Sequence, residues 1–259
     1  MKRIDLIKVE HNRKIGEACE YIEPNVTEDC IFYEDSEPIG FYLTKMPDKM
    51  CKLAELANSE LLSDRVPKIE MNRGTEKQAI ERGIKWIEQL STIIGCIPPK
   101  PTFKRNYANY SSVHSVKTAQ TFIKAMLILA KESEQLIKEI LPIQYEKQIK
   151  QFEQILNKWK FGNIFTSSIS NFNISAPFHR DTGNIVGAVN VIICKKFNSK
   201  GGDLHVPDYN ATIGQQDNSI LVYPAWKNVH AVTPIIPIHE GGYRNSLVFY
   251  PLKAFLRLK

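Results

Sequence analysis

The sequence predicts an α+β protein, with short strands and then helices in its first 160 residues and its main β structure after them. Three observations carry that reading: apolar stripes at helical spacing between residues 47 and 160, short β-rich runs broken by turns from 163 onward, and a globular composition of 259 residues, 43% hydrophobic and 24% charged. Disorder, collagen and coiled coil are excluded. A chain of this length buries about 70–75% of its unfolded surface and needs no staple. The five cysteines, Cys19, Cys30, Cys51, Cys96 and Cys194, include no C-x-x-C pair. That argues against a disulfide framework and a structural zinc site and fits a reducing cytoplasm. No run approaches the ~20 apolar residues of a membrane span. The start, Met1-Lys2-Arg3-Ile4-Asp5, lacks an apolar signal core, so a cytoplasmic location and no membrane partner are expected. The formal charge of +6 is a mild bias toward polyanions.

The elements follow in order. Residues 4–9 alternate as a strand, and 30–33 with 40–43 flank the turn-rich Glu34-Asp35-Ser36-Glu37-Pro38 as a hairpin. Pro47-Asp48 opens a helix with Met50, Leu53, Leu56, Ala57 and Leu61 on one face. Thr75-Glu76 opens a second with Ile80, Ile84, Ile87 and Leu90. A third starts near Ser112, uses Val116, Ala119, Ile123, Met126, Leu127, Ala130 and Ile137, and stops at Pro142. A fourth aligns Ile149, Phe152, Leu156 and Trp159. All four stripes read as core packing. Between the second and third, residues 98–107 form a proline-stiffened loop carrying Lys100, Lys104, Arg105 and aromatics. It serves either phosphate contact and base stacking or as a solvated linker. After Trp159 come short β runs at 163–174, 187–194, 203–206, 219–223, 229–236 and 245–249, the signature of a sandwich or barrel buttressed by the preceding helices. The expected organisation is residues 1–160 as strands and buttressing helices packed as one unit on a catalytic core at 161–259.

Chemistry concentrates in the β-rich part. In His179-Arg180-Asp181, a His and an Asp two apart on a strand project from one face and can share a metal, with His230 available as a third ligand. Two imidazoles and one carboxylate leave coordination positions open, which suits a non-haem Fe(II) enzyme that activates oxygen. An H-x-D alone is a weak motif. Arg244 strengthens it, because a guanidinium between apolar strand residues needs a partner and is shaped to take a carboxylate bidentately, with the Ser246 hydroxyl on the same face. His, Asp, distal His and then Arg is the order an Fe(II)/2-oxoglutarate oxygenase needs. His11, His114 and His239 lack partners at ligand spacing and read as structural or exposed, and Cys194 reads as a buried small residue.

Four blocks, His179-Arg180-Asp181-Thr182-Gly183-Asn184, Leu204-His205-Val206-Pro207, Val229-His230-Ala231-Val232-Thr233-Pro234 and Arg244-Asn245-Ser246-Leu247-Val248-Phe249-Tyr250, resemble successive motifs of the TET/JBP family of DNA 5-methylpyrimidine dioxygenases. The whole chain is similar to the compact enzymes of this type encoded by bacteriophages, although residues 1–160 match no family motif. The resemblance implies a double-stranded β-helix (jelly-roll or cupin-like) core with Fe(II), 2-oxoglutarate and O2 as cofactors and ascorbate as the in vitro reductant. It implies that His179, Asp181 and His230 ligate iron, that Arg244 and Ser246 bind the distal carboxylate of 2-oxoglutarate, and that His205 contacts the cosubstrate. Asn184 would read a flipped base and Tyr250 would line its pocket. This chain has Leu252 where animal members place a base-contacting histidine, and it lacks their Cys-rich zinc module.

The implied reaction hydroxylates the 5-methyl group of 5-methylcytosine in DNA, with thymine the close second. That C–H bond is strong and carries no acidic proton, so a cofactor must supply the oxidant. The base must be flipped out of the duplex, and phosphate contacts offset the cost. Lys100, Lys104, Arg105, Lys195, Lys196 and Lys200 are candidates for those contacts, each also readable as part of a solvated basic face. The expected partner is DNA carrying a 5-methylpyrimidine, with no obligate protein partner, in a host cytoplasm or nucleoid if the chain is phage-encoded. The rival readings are an oxygenase of the same superfamily acting on RNA or protein, and a non-enzymatic DNA-binding barrel.

Overall fold

The computed structural model describes residues 1–71 and 87–258. Chain order runs β1 (Lys2–Asp5), β2 (Cys30–Glu34), β3 (Glu37–Leu43), α1 (Asp48–Leu62), β4 (Ile69–Glu70), β5 (Leu90–Ile97), β6 (Asn109–Tyr110), α2 (Gln120–Ile140) and α3 (Pro142–Phe152). The second half is β7 (Ser167–Phe172), β8 (Asn190–Phe197), β9 (Ser199–Gly201), β10 (Leu204–Val206), β11 (Ala211–Ile213), β12 (Ile220–Tyr223), β13 (Ala231–Val232), β14 (Ile235–Pro237) and β15 (Tyr243–Tyr250).

A ten-stranded sheet in the order β1-β2-β3-β12-β8-β15-β7-β5-β4, with β6 added beside β5, takes strands from both halves of the sequence. Opposite it lie a three-stranded sheet, β11-β10-β13, and the ribbon β14-β9. Together they form the double-stranded β-helix expected of the chain, with helices on its outer face.

Side-chain alternation in β8 and β15 assigns the two faces of the large sheet. Val191, Ile193, Leu247 and Phe249 join Phe122, Met126, Leu129 and Ile137 of α2 and Met50, Ala54 and Ala57 of α1 in the main core. Each buried Val, Ile, Leu, Met or Phe side chain there contributes about 1.5–3 kcal/mol. Polar contacts add to the same interface: Asn245 Nδ2 donates to Asn58 Oδ1 at 2.6 Å, and Lys195 Nζ pairs with Glu55 of α1 at 2.8 Å and with Asp217 at 2.9 Å. The even-numbered residues of β8 and β15 face the small sheet. There a second core of Tyr42, Leu204, Val206, Ile213, Leu221 and Tyr223 closes one end of the sandwich, leaving the other end for the site.

Several elements differ from expectation. The helix predicted from Thr75 lies largely outside the described residues, and its last apolar member, Leu90, begins β5 instead, a strand paired along its length with β7. The third helix is preceded by two short 3-10 turns, Ser112–Ser115 and Lys117–Ala119. It ends at Ile140, and Leu141 leaves the helical region at φ −127°, ψ 59°, as the proline after it requires. The fourth helix stops at Phe152, and Trp159 sits in a separate turn, Asn157–Trp159, against Phe255. The first strand is shorter than residues 4–9. No helix among the described residues is long and apolar enough to cross a membrane.

His114 is structural: its Nε2 accepts the Gly95 N–H of β5 at 2.8 Å, so that nitrogen is unprotonated, and burial holds the imidazole below its ordinary 6.5. Above pH 6.5 both folded and unfolded forms carry a neutral ring. As pH falls below 6.5 the unfolded form takes up the proton first and stability is lost. Replacing His114 by Leu is expected to lower stability by about 1–3 kcal/mol at pH 8. It should also flatten the decline below pH 6.5, both read from urea melts across pH.

Candidate active site

The segment expected as a strand at 179–181 is a single bridge residue followed by a turn. His179 and His230 exchange both backbone hydrogen bonds, each 2.9 Å, as an isolated antiparallel bridge beside β13. In such a pair the side chains stand side by side, and the ring centroids are 4.4 Å apart. The Asp181 N–H donates to Ala225 O at 3.2 Å, and the Asn184 N–H turns back to Asp181 O at 3.0 Å. The chain therefore doubles back with the carboxylate beside the rings. One ligand atom from each of His179, Asp181 and His230 lies within 4.8 Å of the others, and His179 Nε2 is 3.6 Å from Asp181 Oδ1.

The surroundings fix which atom of each side chain is free. His179 Nδ1 lies 2.8 Å from Pro177 O and His230 Nδ1 lies 3.1 Å from Asn228 O. A carbonyl only accepts, so both Nδ1 atoms carry the proton and both Nε2 lone pairs remain available. Burial, with the neighbouring His179 second, pushes His230 down to about 4, which keeps it neutral at physiological pH. Asp181 Oδ2 accepts from Asn190 Nδ2 at 3.2 Å and Asn184 Nδ2 at 3.3 Å, leaving Oδ1 toward the histidines. Asn190 Oδ1 in turn accepts from Asn184 Nδ2 at 2.9 Å. Two imidazole Nε2 atoms and one carboxylate oxygen on one side of a point can hold a divalent metal with positions left open.

A cavity of about 180 Å³ leads away from this trio, floored by alternate residues of three adjacent strands. Asn171 and Ile169 come from β7, Ser246 and Val248 from β15, and Asn190 and Ile192 from β8, while the register pairs Ser246 with Asn171 and Val248 with both Ile169 and Ile192. Arg244, at the far end, is 3% exposed, pairs with no carboxylate among the described residues, and has no partner for Nε. A buried cation left unpaired is costly, by about several kcal/mol, and a bidentate carboxylate relieves it. Ser246 Oγ accepts from Asn171 Nδ2 at 3.3 Å, which leaves its O–H to donate. Gly202, at φ +72°, lets the Arg244 side chain pass, because a Cβ there would lie 3.1 Å from Arg244 Cγ and Cδ.

A second cavity, about 260 Å³, lies on the other side of Asp181 and Asn190 and shares both with the first, along with Ile169 and Val248. Gly183, Asn184, Tyr250 and Leu252 complete its wall. Burial and the nearby Asp181 hold the Tyr250 phenol well above its ordinary value, so it is a neutral hydroxyl. Asn184 spends its Nδ2 on Asp181 and Asn190, which leaves its carbonyl oxygen for a ligand.

Other expected residues stand elsewhere. Leu204 and Val232 are cross-strand partners that face the first cavity, so alternation turns His205 and Ala231 outward. His205 therefore does not contact that cavity. Its Nδ1 lies 2.9 Å from Thr212 Oγ1, and its ring meets Phe178 edge-on. Lys195 and Lys196 are not available to phosphates. Lys195 is buried between Glu55 and Asp217, and Lys196 Nζ donates to Gly201 O at 2.7 Å and Gln215 O at 3.1 Å. Burial works against the Lys195 charge, but the two carboxylates outweigh it and raise its pKa. Lys104 is exposed in a left-handed turn after Pro101–Phe103, and Arg105 Nη2 donates to Pro98 O at 2.6 Å; neither lines the two cavities. Lys200 Nζ lies over the Tyr21 ring at 5.1 Å. Asn190 and Gln215 escaped the sequence reading, since a neutral amide carries no motif. So did Lys253, exposed beside Leu252, with its N–H on Gly183 O at 3.0 Å.

The family model Tet_JBP, described as the oxygenase domain of the 2OGFeDO superfamily, matches residues 101–253, more than half of the chain. Among solved structures the chain is similar to NgTET1 in complex with 5mC DNA, with 14% identity and a TM-score of 0.60 over 94% of this chain and 85% of that one. It is also similar to a 2OG-Fe(II) oxygenase family protein from Caulobacter crescentus, with 13% identity and a TM-score of 0.50 over 82% of this chain and 77% of that one. No curated protein sequence matches.

Substituting Asn190 by Leu removes one of the two amides that orient Asp181. Mn(II) affinity, followed by electron paramagnetic resonance, is expected to fall about 10–100-fold with the circular dichroism spectrum unchanged. Gly202→Ala is expected to lower stability by about 1–3 kcal/mol in urea melts, because a left-handed residue gains a Cβ against the Arg244 side chain.

Proposed function

Because the chain belongs to the Tet_JBP family, the oxygenase domain of the 2-oxoglutarate- and Fe(II)-dependent superfamily, we propose that it hydroxylates the 5-methyl group of 5-methylcytosine in DNA, acting on a nucleotide flipped out of the helix. The enzyme is an oxidoreductase that uses Fe(II), 2-oxoglutarate and O2. When bound, these groups would supply the oxidant for C–H hydroxylation, one oxygen atom of O2 going to the product and the other to succinate as 2-oxoglutarate loses CO2. His179, Asp181 and His230 would hold the iron through Nε2, Oδ1 and Nε2. Arg244 and Ser246 would hold the distal carboxylate.

The observation that carries the substrate reading is the pair of cavities divided by Asp181 and Asn190. The cavity on the Arg244 side suits a dicarboxylate. The one on the Tyr250 side opens to the surface and brings a flat ring to the same carboxylate without crossing the first. Tyr250 and Leu252 would pack against the base, and the Asn184 carbonyl would accept from its edge. The likeness of the fold to a protein solved on 5mC DNA supports the same reading. Lys104 and Lys253 are the exposed cations offered to phosphates, with Arg105 stiffening the loop behind Lys104. Thymine is the second reading. Leu252 offers no side-chain hydrogen bond to the base, and a carbonyl acceptor at Asn184 suits the N3–H of thymine as well as the N4 amine of cytosine.

Nucleoside mass spectrometry of duplex DNA after incubation with enzyme, Fe(II), ascorbate and 2-oxoglutarate tests the reading, with parallel substrates carrying 5-methylcytosine or only thymine. A 5-hydroxymethylcytosine product is expected, lost in His179→Ala and Asp181→Ala. Hydroxymethyluracil alone would select the second reading, and no nucleoside product with either DNA would remove both. Arg244→Ala should raise the 2-oxoglutarate requirement at least tenfold, since it removes a charge-assisted bidentate contact.

A further inference from the structure

Gln215 is buried to 1% exposure at the Arg244 end of the first cavity, and neither its Nε2 nor its Oε1 has a hydrogen-bond partner. Its backbone is held on both sides. The N–H donates to Asp203 Oδ1 at 2.7 Å, and the carbonyl accepts from Lys196 Nζ at 3.1 Å and Cys194 Sγ at 3.6 Å. Cys194 and Lys196 are the cross-strand partners of Ser246 and Arg244, so this clamp fixes Gln215 beside the two residues that face the distal carboxylate. A buried carboxamide with both polar atoms unsatisfied is rare in a folded chain and marks a place where something else belongs. Arg244 Nε is a third orphan in the same cavity.

We infer that Gln215 is a cosubstrate-binding residue, whose carboxamide N–H donates to the distal carboxylate of 2-oxoglutarate alongside Arg244 and Ser246. The chemistry is complementary. A carboxylate with about four lone-pair sites accepts from a guanidinium fork, a hydroxyl and an amide together. The amide adds a directional donor without adding a second charge to an interior that already holds an unpaired cation. Its Oε1 is an acceptor of the kind the Arg244 Nε–H lacks. This inference rests on the 2-oxoglutarate site of the enzyme and not on the identity of the base, so a test without DNA separates the two.

The test is anaerobic titration of the Fe(II)-loaded protein with 2-oxoglutarate and with 2-oxobutyrate, which has the same keto-acid head but no distal carboxylate. Binding is followed by the visible charge-transfer band and, for the Mn(II)-loaded protein, by calorimetry. Gln215→Leu is expected to weaken 2-oxoglutarate about tenfold or more, the range for a hydrogen bond to a charged group, while 2-oxobutyrate changes less than twofold. Gln215→Glu, nearly isosteric, should weaken 2-oxoglutarate further by opposing like charges. Unchanged 2-oxoglutarate affinity in either variant, or equal losses for the two keto acids, overturns the assignment. If Gln215→Leu does not fold, the folded Glu variant decides alone.

Discussion

The site depends on one local interaction, the exchange of two backbone hydrogen bonds between His179 and His230. Neither residue lies in a long strand, yet the pairing sets two imidazoles side by side and leaves Asp181 to be brought in by the next turn. Each ring is then locked by a carbonyl two residues before it, and the carboxylate by two asparagine amides. Rigid backbone bonds thus do the positioning, and the side chains have little left to decide. A metal held here would meet ligand atoms whose directions the backbone has already set.

The second constraint is alternation along β8 and β15. The same strands that seal the helix interface with Val191, Ile193, Leu247 and Phe249 present Asn190, Ile192, Arg244, Ser246 and Val248 to the interior of the sandwich. The helices therefore act on the site at one remove. They back the sheet whose other face is the cavity floor. Asn58 and Glu55 of α1 reach β15 and β8 directly, which ties the helical layer to the strand carrying Arg244.

Much of this is legible in the sequence. His179, Asp181, His230 and Arg244 stand out because few residue types do their chemistry, and their order along the chain is informative. The β2–β3 hairpin is announced by its turn, and α2 by a stripe long enough to be unambiguous. What stayed hidden depended on register or on distant partners. Leu90 fits a helical stripe as well as a strand. His205 sits in a motif, but only the pairing of Leu204 with Val232 shows that it faces outward. Lys195 reads as a surface cation until Glu55, from a helix far away in sequence, is found beside it. Gln215 and Asn190 are neutral amides whose importance lies wholly in what surrounds them.

The partition between the two cavities has a further consequence. Asp181 and Asn190, with Ile169 and Val248, belong to both walls, so a ligand on either side touches the same polar pair. A ligand that draws the Asn190 amide toward itself would loosen its hold on the Asp181 carboxylate. In the proposed reading, cosubstrate and base would be neighbours across this shared set of hydrogen bonds, and either could act on the other through it.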